Sequence, residues 1–151
     1  MSTPFRFSLE RVRALREHTE DAAKEALAGA MADRDRSEQI AREATDAVDQ
    51  ARQAQLAVGA GPVNGHELLA RQAYLERSER VQAASRERLG RSERTVAQRR
   101  AALTEAARDR QALERLKEHR RADHEQELAR QESMVQDELA LGVFRRREAA
   151  A

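Results

Sequence analysis

The sequence predicts an all-α fold, a long antiparallel two-helix coiled-coil hairpin with unequal arms. Three observations carry that prediction. The composition is rich in Ala, Glu, Arg, Leu, Gln and Asp, with 36% charged and 3% aromatic residues, which suits long helices and coiled coils. Three of the six glycines and one of the two prolines crowd into "VGAGPVNGHELL", residues 58–69. Seven-residue apolar spacing runs on both sides of that break. A chain of 151 residues is ordinarily one domain. The expectation is a single hairpin over 1–151, with a helix from about 8 to 58, a turn at 59–64 and a helix from about 65 to 146.

The first helix opens near Ser8. Small or apolar residues recur at Ala23, Ala26 and Ala30, then at Ile40, Ala44, Ala47, Ala51, Ala54 and Val58. From Ile40 the steps alternate four and three, a heptad seam. The stretch "ADRDRSEQ" between them puts Asp33 and Ser37 at seam positions.

The turn has helix-end chemistry. Gly59 suits a left-handed position just past a helix end. Asn64 suits an N-cap, Glu67 follows three residues on as in a capping box, and Val63 and Leu68 hold the two staple positions. A phosphate loop is excluded, because no strand precedes the glycines and no Gly-Lys-Ser/Thr follows.

In the second helix Leu68, Leu75, Gln82, Leu89, Val96 and Leu103 are spaced by seven, with Ala106 and Leu113 continuing the row. Folding back pairs Ala51 with Leu75, Ala44 with Gln82, Ser37 with Leu89, Ala30 with Val96 and Ala23 with Leu103. Small residues then face large ones, which permits close approach at steady layer volume. A slip of one residue near the amino end pairs Val12 with Leu113 and Leu9 with Leu116. At 1.5 Å per residue the arms measure roughly 75 Å and 120 Å. The second helix therefore overhangs the first beyond about Glu118. The overhang carries Leu128, Val135, Leu139, Leu141, Val143 and Phe144. An unpaired apolar stripe of this kind predicts docking or oligomer contact. Gly142 and the final "EAAA" predict a fraying end.

Charge excludes several functions. There are 28 basic and 27 acidic residues, a net charge of +1, so no electrostatic footprint for nucleic acid exists. The charges interleave at i,i+4, as in Glu20 and Lys24, Glu38 and Arg42, and Glu76 and Arg80, which supports solvated helices. "FRRR" near the end is too short for a phosphate-binding stripe. Phe5, Phe7, Tyr74 and Phe144 are not interleaved with it as stacking platforms. The alanine-rich seams are poor for lipid insertion, and no stretch approaches the ~20 apolar residues of a spanning helix. "MSTPFRFSLERVR" lacks a signal-peptide core. With no cysteine, a reducing compartment is permitted. These features predict a cytoplasmic protein.

No enzymatic constellation is found, so no catalytic, cofactor-binding or metal residue is expected. His119 and Asp123 share a face, but two ligands do not make a metal site. No carboxylate pair sits isolated in an apolar setting.

Both ends resemble the flagellar FliJ family. "FRFSLERVRALREHTED" is similar to that family's opening, with an aromatic pair, then Leu9, Val12 and Leu15 spaced by three, then Arg16 and nearby acids. "RQALERLKEHRRADHEQELARQESMVQDELALGVFRR" is similar to its closing pattern, with Leu113-Glu114, Leu116-Lys117, Glu132 and Asp137-Glu138 before a basic end. The resemblance implies a non-enzymatic, central-stalk-like component of the flagellar type III export apparatus. It implies promotion of export ATPase assembly and activity, with the ATPase and its regulator as partners. It also implies a link to the cytoplasmic domain of the export gate and an escort role for export chaperones. The implied location is cytoplasmic, peripheral at the inner face of the cell membrane. No nucleic acid, direct membrane insertion or small-molecule substrate is implied.

By this resemblance the ATPase contacts fall at Phe5, Phe7, Arg13, Arg16, Leu139, Phe144, Arg145 and Arg146, since Arg suits bidentate pairing with carboxylates. The gate contact falls at Tyr74 and Val81. The sequence departs from the family pattern at Ser78 and Ser85, where larger groups are expected. Three alternatives stay open, the second of them within the same resemblance. They are a generic coiled-coil scaffold that homodimerises through its overhang, a stalk protein of a related virulence-type secretion system, and a partly disordered adaptor that orders on a partner.

Overall fold

The structure, a computed structural model, describes residues 4–57, 61–62 and 64–149. It contains two helices, α1 (Glu10–Leu56) and α2 (Gly65–Ala149), of 47 and 85 residues, and no strand among the described residues. The fold is the antiparallel two-helix coiled-coil hairpin with unequal arms that the composition and heptad spacing predict. The expectations for Val58, Gly59 and Val63 lie outside the described residues.

The chain divides into two compact units, Glu20–Glu105 and a second made of Met1–Thr19 with Ala106–Ala151. In the first, α1 turns Ser37, Ala41, Ala44, Val48 and Ala51 inward, with steps of four and three. Val48 is fully enclosed, at 0% exposure. From α2, Ser78 and Ser85 are buried, while Leu75, Gln82, Leu89, Ser92 and Val96 are half-buried on the same side. The register is set by Ser37 Oγ 3.0 Å from Ser92 Oγ, Gln82 Nε2 donating to Thr45 Oγ1 at 3.3 Å, and Gln55 Nε2 donating to Gln72 Oε1 at 2.8 Å.

The seam differs from the expected one in half its positions. Ala30, Ser37, Ala44 and Ala51 face inward as expected. Their companions are Ala41 and Val48, whereas Ile40 and Ala54 are exposed and Ala47 is half-exposed. The facing helix supplies the reason. In this register Val48 falls in the layer of Ser78 and Ala41 in that of Ser85. A large group meets a small one at Val48 and Ser78, whereas Ala41 and Ser85 make a layer of two small groups. The leucine row of α2 takes the alanines of α1, and the serine row takes the valine. Leu68, expected to start the α2 seam, is half-exposed at 50%.

The buried Ser37 hydroxyl is satisfied across the helices by Ser92, and the other seam hydroxyls are satisfied within α2. Ser78 donates to the Tyr74 carbonyl at 2.9 Å, Ser85 to that of Gln82 at 2.8 Å and Ser92 to that of Arg88 at 3.1 Å. No buried side-chain N or O among the described residues lacks a partner. This is the condition under which polar atoms enter a core without penalty.

At the turn, Asn64 caps α2. Its Oδ1 accepts the His66 N–H at 3.1 Å, and its carbonyl accepts the Leu68 N–H at 3.1 Å. Glu67 does not complete a capping box and instead accepts from Arg71 at 2.5 Å. Of the three expected i,i+4 ion pairs, Glu20–Lys24 and Glu38–Arg42 form at 3.1 and 2.5 Å. Glu76 accepts from Gln72 instead, at 3.0 Å.

Candidate partner-binding surfaces

In the unit formed by the amino-terminal segment and Ala106–Ala151, apolar packing is thin and charge takes over. Phe7 is buried at 9% exposure and its carbonyl accepts the Glu10 N–H at 3.2 Å, closing the turn that enters α1. Phe5 tilts against His124, with ring centroids 5.7 Å apart at 58°. Val12, expected to pair with Leu113, is exposed at 41%. The cross-helix pairs are charged. Arg13 meets Glu114 at 2.9 Å, Lys117 meets Glu10 at 2.9 Å and Arg16 meets Asp109 at 3.1 Å. Arg13 also binds Glu10 at 2.7 Å and Glu17 at 3.3 Å.

These bonds shift the groups that make them. Hydrogen bonds from Arg13 and then Lys117 hold the Glu10 carboxyl below the usual carboxylate range. Those to Glu10 and Glu114 raise the Arg13 pKa further. The result is a charged clamp that seats the amino-terminal segment on α2. Sequence reasoning missed Glu10, Glu114 and Lys117. The signal was there, since Leu9–Leu116 and Val12–Leu113 bring opposite charges side by side one residue along from each pair.

The candidate ATPase residues therefore fall into two sets. Phe5, Phe7, Arg13 and Arg16 already contact their own chain. Leu139 and Phe144 face solvent at 63% and 61% exposure, and Arg145 and Arg146 are exposed beside them. Arg146 Nε donates to the Gly142 carbonyl at 3.1 Å, and α2 runs through Gly142 to Ala149. Beyond His124 no cross-helix hydrogen bond or ion pair is made among the described residues, and Met134, Val135, Leu139, Leu141, Val143 and Phe144 are exposed. Leu139 and Phe144, five residues apart, point to opposite sides of that helix.

Tyr74 and Val81 do share a face. They are seven residues apart and each 52% exposed. An open groove of about 420 Å³ adjoins Tyr74, lined by Ala51, Ala54, Ala70 and Arg71 among others. Ser78 and Ser85 do not belong to this surface. They are buried at 8% and 6%, so their small size answers to the seam and not to an outer stripe.

His119 Nε2 lies 3.6 Å from Asp123 Oδ2, both well exposed. Among the described residues no group of three or more His, Cys, Asp or Glu is placed to hold a metal ion. No helix there is long and apolar enough to cross a membrane.

Comparison with curated proteins and with solved structures finds no match. A family model described as "Flagellar FliJ protein" matches residues 5–149. That span takes in the Phe5–Phe7 turn, both helices, the charged clamp and nearly all of the unpaired segment. The chain belongs to the FliJ family of flagellar export components.

Proposed function

We propose that this protein is a non-enzymatic, central-stalk-like coiled coil of the flagellar type III export apparatus. It promotes assembly and activity of the export ATPase and links it to the cytoplasmic domain of the export gate. The observation that carries the reading is the unpaired stretch of α2. A helix that leaves Leu139, Leu141, Val143 and Phe144 46–63% exposed has the chemistry of an insertion segment. Membership in the family supplies the apparatus in which it would insert.

In this reading Arg16, Leu139, Phe144, Arg145 and Arg146 meet the ATPase directly. Phe5, Phe7 and Arg13 act by holding the amino-terminal segment in place. Tyr74 and Val81 meet the gate, and the export chaperones and the ATPase regulator are further partners. The protein then works at the inner face of the cell membrane.

The test is a pull-down and a turnover assay with the purified export ATPase. The full chain raises ATPase oligomerisation and turnover, and Leu139→Ala/Phe144→Ala lowers both without changing helicity. No rise in turnover at saturating protein, with binding intact, overturns the stalk role.

A further inference from the structure

We infer that the unpaired segment of α2 is also a self-recognition surface, on which a second copy of this chain docks antiparallel through residues 125–146. Leu128, Val135, Leu139 and Val143 are spaced by seven, four and four, and lie within about a quarter turn of one another at 3.6 residues per turn. Val135, Leu139 and Val143 are 55%, 63% and 46% exposed, and Leu128 is half-exposed. Glu125 and Arg146 stand on the same side at the two ends of that row.

The row can pair with itself at its two ends and its centre. Laid antiparallel on its own copy and centred beside Val135, it sets Leu128 against the partner's Val143 and the partner's Leu128 against Val143. Val135 meets its counterpart at the centre. Glu125 faces the partner's Arg146 at one end, and the reverse holds at the other. Leu139 lies over the aliphatic stem of the partner's Glu132. A two-fold interface requires this self-complementarity, because one patch must serve both subunits.

Charge selects the orientation. Residues 123–138 hold six carboxylates, at Asp123, Glu125, Glu127, Glu132, Asp137 and Glu138, against the single Arg130, whereas Arg145, Arg146 and Arg147 follow at the end. Parallel pairing sets carboxylate against carboxylate. Antiparallel pairing brings the arginines of each copy to the acids near Glu125 of the other. The competing local bonds are weak. Arg121 Nε donates to Glu125 Oε1 at 3.0 Å with both side chains exposed, a surface pair of little strength.

The docked face excludes Met134, Leu141 and Phe144, which lie across the helix, so the dimer covers Leu139 and leaves Phe144 free. So short a contact belongs at the small end of interface sizes, below about 1,200 Å². The association is therefore reversible and concentration-dependent. The dimer does not require the ATPase reading, but the two contacts share Leu139 and Arg146, so pairing between copies and ATPase contact exclude each other on this face.

Sedimentation equilibrium of the full chain tests it. The chain passes from monomer to dimer with rising concentration, and salt weakens the dimer. Glu125→Arg and Arg146→Glu each weaken it about tenfold, as two symmetry-related pairs turn from attraction to repulsion. Glu125→Arg/Arg146→Glu together restore it, and Val135→Glu abolishes it. Circular dichroism of each variant separates lost pairing from lost helix. Because the chain has no cysteine, Val135→Cys offers a second measure, a disulfide between copies under mild oxidation. A monomer at every concentration overturns the inference, as does a dimer that the double swap does not rescue or that Val135→Cys does not cross-link.

Discussion

Asn64 ends the turn with a single side-chain bond to the His66 N–H. Glu67 is engaged with Arg71, so no second capping bond shares the task. Asn64→Ala is expected to cost about 1 kcal/mol, read as a lower urea midpoint at unchanged slope. Glu10 has a different signature. Its carboxyl is held below the usual range by Arg13 and Lys117. The folded form therefore binds the proton less readily than the unfolded one. The stabilising contribution is complete above the ordinary carboxylate value of 4.5 and is lost as pH falls through the lowered folded value. Spin labels at Arg11→Cys and Glu118→Cys are expected to report a narrow distance distribution at pH 7 that broadens below about pH 4. Glu10→Gln is expected to broaden it already at pH 7 and to flatten the acid dependence.

Between the helices the seam of Glu20–Glu105 is built from small side chains, with Val48 and the α2 leucines as its bulk. Helix continuity matters accordingly, and two glycines weaken it. Gly29 has nothing within 4 Å of the position a Cβ would take, and at Gly90 the nearest atom is Arg94 Nη1 at 3.9 Å, an ordinary contact. Neither glycine has a positive φ. Packing does not require them, so Gly29→Ala and Gly90→Ala are each expected to stabilise by about 1 kcal/mol through helix propensity. Urea denaturation followed by circular dichroism checks this. A loss of stability at either site would mean that the seam closes more tightly around it than these distances allow. Here the heptad spacing was legible in the sequence, while the choice between Ile40 and Ala41, or between Ala47 and Val48, was not. Both options flank the same Ser37, Ala44 and Ala51 row; the small Ser78 on the facing helix favours Val48 over Ala47, and the rotation that places Val48 inward also brings in Ala41 in place of Ile40.

For the chain taken together, folding and function separate along α2. Residues after His124 make no cross-helix bond among the described residues, so deleting 126–149 is expected to leave the thermal transition of the paired segments within a degree or two. The same deletion is expected to abolish stimulation of the export ATPase and self-association. Differential scanning calorimetry beside the turnover assay makes the comparison. A large fall in the transition temperature would show that the unpaired helix supports the paired ones.

Local chemistry settled the all-α class, the place of the turn, the Asn64 cap and the greater length of α2. Helix propensity, chain breakers and seven-residue spacing act within a few turns of backbone and can be read in one dimension. Which way each helix rotates about its axis depends on the neighbour it meets. That contact buried Val48, Ser78 and Ser85, left Ile40 outside, and replaced a hydrophobic pairing at Val12 by the Glu10–Arg13–Glu114–Lys117 clamp. The same holds for the candidate contacts. Their residue types were visible along the chain, yet folding engaged Phe7 and Arg13 inside it and turned Leu139 and Phe144 to opposite sides of an open helix.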